Sequence, residues 1–304
     1  MENSNKNITT ENIKTLNEKD AGIFYSALLI SVLAIAFMVG ACITMFVGET
    51  DVSKQNWYIL INLFVSGIAL IVASLVGTRL SNSTVKNNVG KLKVDYTAYI
   101  VCGLLLFSMF FVLGDLNNLV ISLFERFGYK QTETVMPSLS PINLILVIIS
   151  VCLLPAVFEE YIFRGCILNG LKAFGERKAI LISALFFAFY HMSPSKTAYQ
   201  LVVGLIFGFV AVKYKSILPT IIIHFLNNLY IILNYYFWGF APENGLKWGL
   251  FVVGIIFLGV AIYLLSFKFK FENDKKQGNY HELIVYGSAG IICALAVWIS
   301  GFFL

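Results

Sequence analysis

The chain has 304 residues, of which 58% are hydrophobic and 13% are charged, with a formal net charge of +5. Such an apolar composition excludes a soluble globular protein of this length and predicts an all-α, polytopic integral membrane protein, whose immediate partners are membrane lipids. The positive charge is spread over several connections without a basic run, so we predict no nucleic-acid partner.

The apolar segments predict eight to nine transmembrane helices, because a bilayer core of about 30 Å needs about 20 apolar residues per helix. Two of the nine segments, 97–114 and 177–192, are short. The segments are 22–47, 57–78, 97–114, 142–172, 177–192, 197–213, 217–238, 247–267 and 283–304. We predict a polar cytoplasmic N-terminus over 1–21 and a single membrane domain over 22–304. The connection 115–141 contains a predicted short helix, Leu116–Phe127.

The distribution of Lys and Arg over the connections predicts the orientation of the bundle. With the N-terminus inside, sixteen of these residues lie in inner segments and five in outer segments, with Arg164 left out because it lies within a span. The inner residues are Lys6, Lys14, Lys19, Arg79, Lys86, Lys91, Lys93, Lys172, Arg177, Lys178, Lys213, Lys215, Lys268, Lys270, Lys275 and Lys276, and the outer residues are Lys54, Arg126, Lys130, Lys196 and Lys247. We therefore predict a cytoplasmic N-terminus.

Three ionisable residues, Glu159, Glu160 and Arg164, lie within the fourth apolar segment. A charged residue at membrane depth costs roughly 2.5–3.5 kcal/mol on insertion scales and is usually functional. Glu160 and Arg164 are spaced i, i+4 and can form an ion pair along the helix. Glu159 points about 100° away from Glu160 and can face another helix, where a desolvated carboxylate is suited to act as a general base.

Further polar residues lie in two other segments at a similar predicted depth: His191, and the i, i+4 pair His224 and Asn228. We expect the fourth, fifth and seventh helices to enclose a cavity. In it Glu159 and His191 would hold a water molecule for attack on a peptide carbonyl, and His224 and Asn228 would donate hydrogen bonds to the oxyanion. Taken singly, each group also fits a structural role, as an ion pair, a packed histidine or interhelical hydrogen bonds.

Other membrane chemistries lack their signatures. His281–Glu282 begins an HExxH pattern, but Val285 stands at its last position, and no GxSxG elbow or second intramembrane aspartate beside Asp115 is present. A transporter would predict an inverted repeat, which we do not detect. Gly204 and Gly208 form a GxxxG pattern that predicts close helix packing.

Three motifs in order resemble those of the CAAX-protease and bacteriocin-processing (CPBP, or Abi) family. They are Glu159–Glu160–Tyr161–Ile162–Phe163–Arg164–Gly165 (EExxxR), Phe187–Ala188–Phe189–Tyr190–His191 (FxxxH) and His224–Phe225–Leu226–Asn227–Asn228 (HxxxN). The matching core covers about 142–240. This resemblance implies an intramembrane endopeptidase, in a bacterial cell membrane, that acts on a peptide or a lipid-anchored or membrane protein; the bacterial relatives are linked to peptide maturation or bacteriocin self-immunity.

By residue match, the resemblance implies that Glu159 and His191 activate water, that His224 and Asn228 form the oxyanion site, and that Glu160 and Arg164 support them. It implies a metal-independent mechanism, although Glu159, His191 and His224 are also residue types that bind zinc. We expected substrate access from the cytoplasmic side. Some family members bind other proteins without known proteolysis, so a membrane scaffold or immunity protein is the alternative.

Overall fold

The computed structural model describes residues 15–48, 50–131, 135–272 and 278–303, and within these ranges the chain is helical, without a β-strand. The nine long helices are α1 (Glu18–Val47), α2 (Asn56–Leu80), α3 (Thr97–Glu125), α4 (Pro141–Gly170), α5 (Glu176–Tyr190), α6 (Pro194–Tyr214), α7 (Leu218–Trp238), α8 (Asn244–Ser266) and α9 (Tyr280–Ser300). The predicted helical membrane bundle is confirmed. Most of the predicted N-terminal segment 1–21, with Lys6 and Lys14, lies outside the described residues, as do Lys275 and Lys276.

Eight of these helices are long and apolar enough to cross a membrane. The exception is α5, which has 15 residues and is therefore about 22 Å long, against a bilayer core of about 30 Å. The predicted span 177–192 is thus a helix, but a short one. It ends at Tyr190, so His191 caps its C-terminal end rather than lying within it.

The third span is longer than the sequence predicted. We expected a helix over 97–114 and a separate short helix over Leu116–Phe127, whereas α3 continues from Thr97 to Glu125. A π-helical stretch at Met109–Leu113 carries the chain through this region, and Gly114 keeps right-handed helical geometry. Gly114 and Asp115 therefore do not end the helix, because the flanking residues are all compatible with helical backbone angles.

The start of α4 follows from its sequence. The Ser140 hydroxyl accepts a hydrogen bond from Asn143 N, and Pro141 occupies the first turn, where its missing N–H is not needed. The helix then continues past Arg164 to Gly170, close to the end of the predicted segment 142–172. Two π-helical stretches, Ile148–Leu153 and Tyr161–Ile167, flank the pair of glutamates. Such stretches change the direction of the side chains on either side and occur often at functional sites.

Close packing of α5 against α6 depends on the predicted GxxxG pattern. A Cβ atom at Gly204 would lie 2.9 Å from Ala184 Cα, and one at Gly208 would lie 3.0 Å from Ile180 Cγ2. The two helices therefore approach to a distance that only glycine allows, and the interpretation as a packing motif is confirmed. This contact holds α5, with His191 at its end, against α6.

Hydrogen bonds between connections define the two ends of the bundle. At the first end they are Lys91 N to Lys215 O (2.9 Å), Glu272 N to Glu176 Oε2 (2.8 Å) and Asn279 N to Glu18 Oε1 (2.9 Å). At the second end they are Ser138 N to Asn56 Oδ1 (2.8 Å) and Asn117 Nδ2 to Ser195 O (2.9 Å), with an ion pair between Lys247 and Asp115 (2.9 Å). We call the first the lysine-rich end, because its connections belong to the inner segments with sixteen Lys and Arg residues. We call the second the opposite end, because its connections belong to the outer segments with five.

Candidate active site

The glutamate pair of α4 is buried in the centre of the bundle. Glu160 is fully buried, Glu159 is 5% exposed and Arg164 is 2% exposed. Arg164 Nη1 donates a hydrogen bond of 2.8 Å to Glu160 Oε1, so the predicted i, i+4 ion pair is confirmed. A buried carboxylate needs such a partner, because the attraction between the charges offsets the cost of removing both from water.

Two aromatic rings hold the Arg164 guanidinium from α5 and α6. Its central carbon lies 4.3 Å from the ring centroid of Phe187 and 5.2 Å from that of Phe207. Both distances suit cation–π attraction, which strengthens where water is absent. The three side chains form a layer that separates Glu159 from the lysine-rich end.

His224 of α7 approaches both glutamates. Its Nδ1 lies 2.9 Å from Glu160 Oε1, and its Nε2 lies 3.8 Å from Glu159 Oε2. A carboxylate only accepts hydrogen bonds, so Nδ1 carries a proton and donates it. Nε2 is then a proton acceptor in the neutral ring and a donor only in the imidazolium form. Either form faces Glu159.

His191 and Asn228 present polar atoms from α5 and α7. The His191 Nδ1 lies 2.9 Å from the Phe187 carbonyl oxygen and therefore donates to it, which leaves Nε2 as an acceptor. Asn228 Nδ2 donates one hydrogen bond to Val151 O at 2.9 Å. An amide nitrogen carries two hydrogens, so the second remains for another acceptor.

These groups line one cavity of about 300 Å³, which we call the Glu159 cavity. The predicted residues that line it are Glu159, His191, His224 and Asn228. Glu159 Oε2 is buried and has no hydrogen-bond partner among the described residues. The cavity between α4, α5 and α7 is therefore present, and α2 and α6 also contribute to its walls through residues such as Ser66 and Gln200.

The structure adds a second histidine beside Glu159. We predict that Glu159 and His191 hold a water molecule between them. Among the described residues no hydrogen bond or ion pair joins these two side chains directly, and the histidine nitrogen nearest to Glu159 is Nε2 of His224. The reason is that His191 follows the last turn of α5, where the Phe187 carbonyl orients its ring. His191 and Glu159 face each other only across the cavity.

Two further residues of the site were missed by sequence reasoning. Tyr190, whose side chain is 6% exposed, is close enough to the Glu159 carboxylate for the two groups to interact electrostatically. Lys196 lines the cavity from the first turn of α6 and is exposed at the surface. Tyr190 adjoins His191 in the FxxxH motif, and this position was a signal that we did not use. Nothing in the sequence alone indicated that Lys196 lines the same cavity as Glu159.

The described residues contain no group of three or more His, Cys, Asp or Glu side chains that could hold a metal ion. The two Nδ1 hydrogen bonds of His191 and His224 are of the kind that orients metal ligands. Nevertheless, Glu159, His191 and His224 do not converge on one point. The described residues thus give no three-ligand site for zinc, and we derive no step through a metal.

The fold and the site together define a class: an integral membrane helical bundle with a buried carboxylate, two histidines and an amide around one cavity. Residues 141–230 match the family model Rce1-like, described as type II CAAX prenyl endopeptidase Rce1-like. The match covers 90 of 304 residues and contains all three motifs. The family recognised from the motifs is confirmed over this segment. No curated protein and no solved structure matches the chain.

Proposed function

We propose that the protein is an intramembrane endopeptidase that hydrolyses a peptide bond in a peptide or a membrane-anchored protein. The observation that carries this proposal is Glu159 Oε2, a buried acceptor without a hydrogen-bond partner among the described residues, in a cavity that also contains two histidines and an amide. A buried polar atom without a partner is rare in a folded protein and is a place for a water molecule or a substrate group.

In this mechanism Glu159 takes a proton from a water molecule that also donates a hydrogen bond to His191 Nε2. The water oxygen forms a bond to the peptide carbonyl carbon, and the carbonyl oxygen becomes an oxyanion. When the tetrahedral intermediate collapses, the C–N bond breaks and Glu159 returns the proton to the leaving amine.

The oxyanion would accept hydrogen bonds from the second Asn228 Nδ2 hydrogen and from His224 Nε2. His224 can donate there only as an imidazolium, because its Nδ1 proton already goes to Glu160. The fully buried Glu160 carboxylate accepts the hydrogen bond from His224 Nδ1 and thereby orients the ring. Glu160 and Arg164 are thus positioning residues, which orient His224 without touching the substrate.

The test compares membranes that contain the wild type, Glu159→Gln or Glu243→Gln by mass spectrometry of small peptides and membrane proteins. Glu243→Gln is the matched control, because this glutamate is exposed at the opposite end. We expect a cleaved species with the wild type and the control but not with Glu159→Gln. Identical profiles from three folded proteins would overturn the proposal and favour a scaffold or immunity function.

A chelator experiment addresses the metal question. Since the described residues do not form a three-ligand site, we expect cleavage by the purified protein to persist after dialysis against 1,10-phenanthroline. Loss of cleavage with recovery on adding Zn²⁺ would contradict the metal-independent mechanism.

A further inference from the structure

The Glu159 cavity extends toward only one end of the bundle. The residues that line it away from Glu159 include Leu63 in the first half of α2, Met136 in the connection before α4, and Lys196 and Gln200 in the first turns of α6. Each of these positions lies near the opposite end, where Asn56, Ser138 and Ser195 form the hydrogen bonds between connections. Lys196 lines the cavity and is exposed, so the cavity opens to the surface beside this residue.

Toward the lysine-rich end the same cavity is closed. Arg164, Phe187 and Phe207, which are 2%, 1% and 0% exposed, fill the space beyond Glu160. A second cavity of about 240 Å³ enters from the lysine-rich end between Lys172 and Lys215. It reaches Arg164 but includes neither glutamate nor either histidine of the site. A third cavity, of about 740 Å³, is lined at this end by Arg79, Phe158 and Tyr161, and the Glu159 side chain does not line it. A substrate in either of these two cavities would not meet the Glu159 carboxylate.

The charges of the connections indicate which end of the bundle faces the cytoplasm. In membrane proteins, short connections rich in Lys and Arg face the cytoplasm. The sequence assigns sixteen such residues to the lysine-rich end and five to the opposite end. The hydrogen bonds of the fold support this grouping, because they join segments of each predicted side to one another. This distribution predicts that the lysine-rich end faces the cytoplasm.

We infer that the active-site cavity opens away from the cytoplasm, so that the substrates are peptides or segments of membrane-anchored proteins at the external face of the membrane. The part of this inference that concerns substrates rests on the proposed function. The direction in which the cavity opens does not depend on whether the protein hydrolyses peptides. It reverses our expectation of cytoplasmic access. A C-terminal tail in the cytoplasm would have to cross the membrane before Glu159 could reach it.

The first arm of the test measures accessibility in intact bacterial cells that express the protein. Gln200→Cys places a thiol in the wall of the cavity, and Lys130→Cys and Lys215→Cys place thiols on the exposed surface of the opposite and lysine-rich ends. All three variants carry Cys42→Ser, because Cys42 is an exposed native thiol. The reagent is a small, charged methanethiosulfonate that does not cross the membrane.

We expect Gln200→Cys and Lys130→Cys to react in intact cells and Lys215→Cys to react only after permeabilisation. Three results would overturn the inference. They are reaction of Gln200→Cys only after permeabilisation, its failure to react under either condition in a folded protein, and reaction of Lys215→Cys but not Lys130→Cys in intact cells.

The second arm adds an internally quenched peptide library to right-side-out and to inverted membrane vesicles. Cleavage that depends on Glu159 should occur in the right-side-out vesicles, and cleavage confined to inverted vesicles would overturn the inference. Absence of cleavage in both, even after detergent treatment, would count against the proposed hydrolysis. The accessibility result would still decide the direction of opening, so the two failures can be told apart.

Discussion

A single oxygen atom, Glu160 Oε1, accepts hydrogen bonds from Arg164 at 2.8 Å and from His224 at 2.9 Å. This atom therefore links two turns of α4 to α7 and fixes the ring that faces Glu159. Three buried atoms of the cluster lack hydrogen-bond partners among the described residues: Oε2 of Glu159, Oε2 of Glu160 and Nη2 of Arg164. The cluster thus combines a satisfied structural pair with polar atoms that remain available to water or substrate.

Removing the cation of this cluster should destabilise the whole protein. Arg164→Met strands a fully buried carboxylate, which typically costs about 3–5 kcal/mol in the free energy of unfolding. Arg79→Met at the exposed end of α2 is the control and should change it by no more than about 0.5 kcal/mol. Equal unfolding midpoints for both variants in detergent would contradict the structural role of the Glu160–Arg164 pair.

The amide of Asn228 should matter for rate more than for folding. Asn228→Ala removes a donor to the oxyanion, so we expect kcat to fall by about 10²–10³-fold with little change in KM. Asn169, near the lysine-rich end of α4, donates a hydrogen bond to the Gly165 carbonyl oxygen at 2.7 Å and does not line the Glu159 cavity. Asn169→Ala should therefore lower stability but preserve kcat, and an unchanged kcat for Asn228→Ala would remove Asn228 from the mechanism.

The spacing of residues predicted some of these contacts and not others. Glu160 and Arg164 lie on one helix, so their i, i+4 separation was enough to predict the ion pair. The contact of His224 with Glu160 joins residues 64 positions apart, and the packing angle of α7 against α4 decides it. The same limit applies to His191, because sequence periodicity did not reveal that α5 ends at Tyr190, two residues before the end of the predicted span.

At the scale of elements, the shortness of α5 helps to create the cavity. A helix of 15 residues that starts at the lysine-rich end cannot reach the far side of a hydrocarbon core of about 30 Å. Its C-terminal end therefore lies below the membrane surface, and the chain returns at once as α6 through Pro194. His191 and Lys196 sit at the two sides of this recessed turn, which brings the polar groups of the site within reach of water.

Close packing of α5 on α6 should be sensitive to one added methyl group. Gly204→Ala places a carbon 2.9 Å from the backbone of Ala184, so the helices must separate, and we expect a loss of about 1–3 kcal/mol in the free energy of unfolding. Gly259→Ala in α8 is the matched control, since its added carbon meets nothing within 4 Å. If both variants unfold at the same temperature, the glycine pattern does not set the distance between α5 and α6.

The accuracy of the predicted helix starts does not follow from prolines or side-chain caps. Helices α2 and α5, whose starts have no side-chain cap, begin one residue before the predicted 57 and 177. Helices α6 and α1 begin three and four residues before the predicted 197 and 22, at Pro194 and directly after the Asn17 cap. The prediction was wrong in α3, because Gly114 and Asp115 resemble an end signal. In a long helix of this bundle, packing against α8 overrides such a local signal.

The whole molecule is polarised along its long axis. The lysine-rich end carries most of the cations and a closed arginine layer, and the opposite end carries the mouth of the Glu159 cavity. Composition and charge were sufficient to predict the helical bundle and the grouping of its connections. The direction in which the cavity opens required the structure, because it depends on which side chains from five helices leave space between them.

The most direct test of the proposed hydrolysis is the rate of cleavage of one identified substrate by purified protein. Glu159→Gln keeps the size of the side chain but cannot accept the proton of water, so kcat/KM should fall by at least about 10²-fold relative to the wild type and to Glu243→Gln. Comparable kcat/KM values for the folded Glu159→Gln variant and the wild type would contradict the assignment of Glu159 as the base.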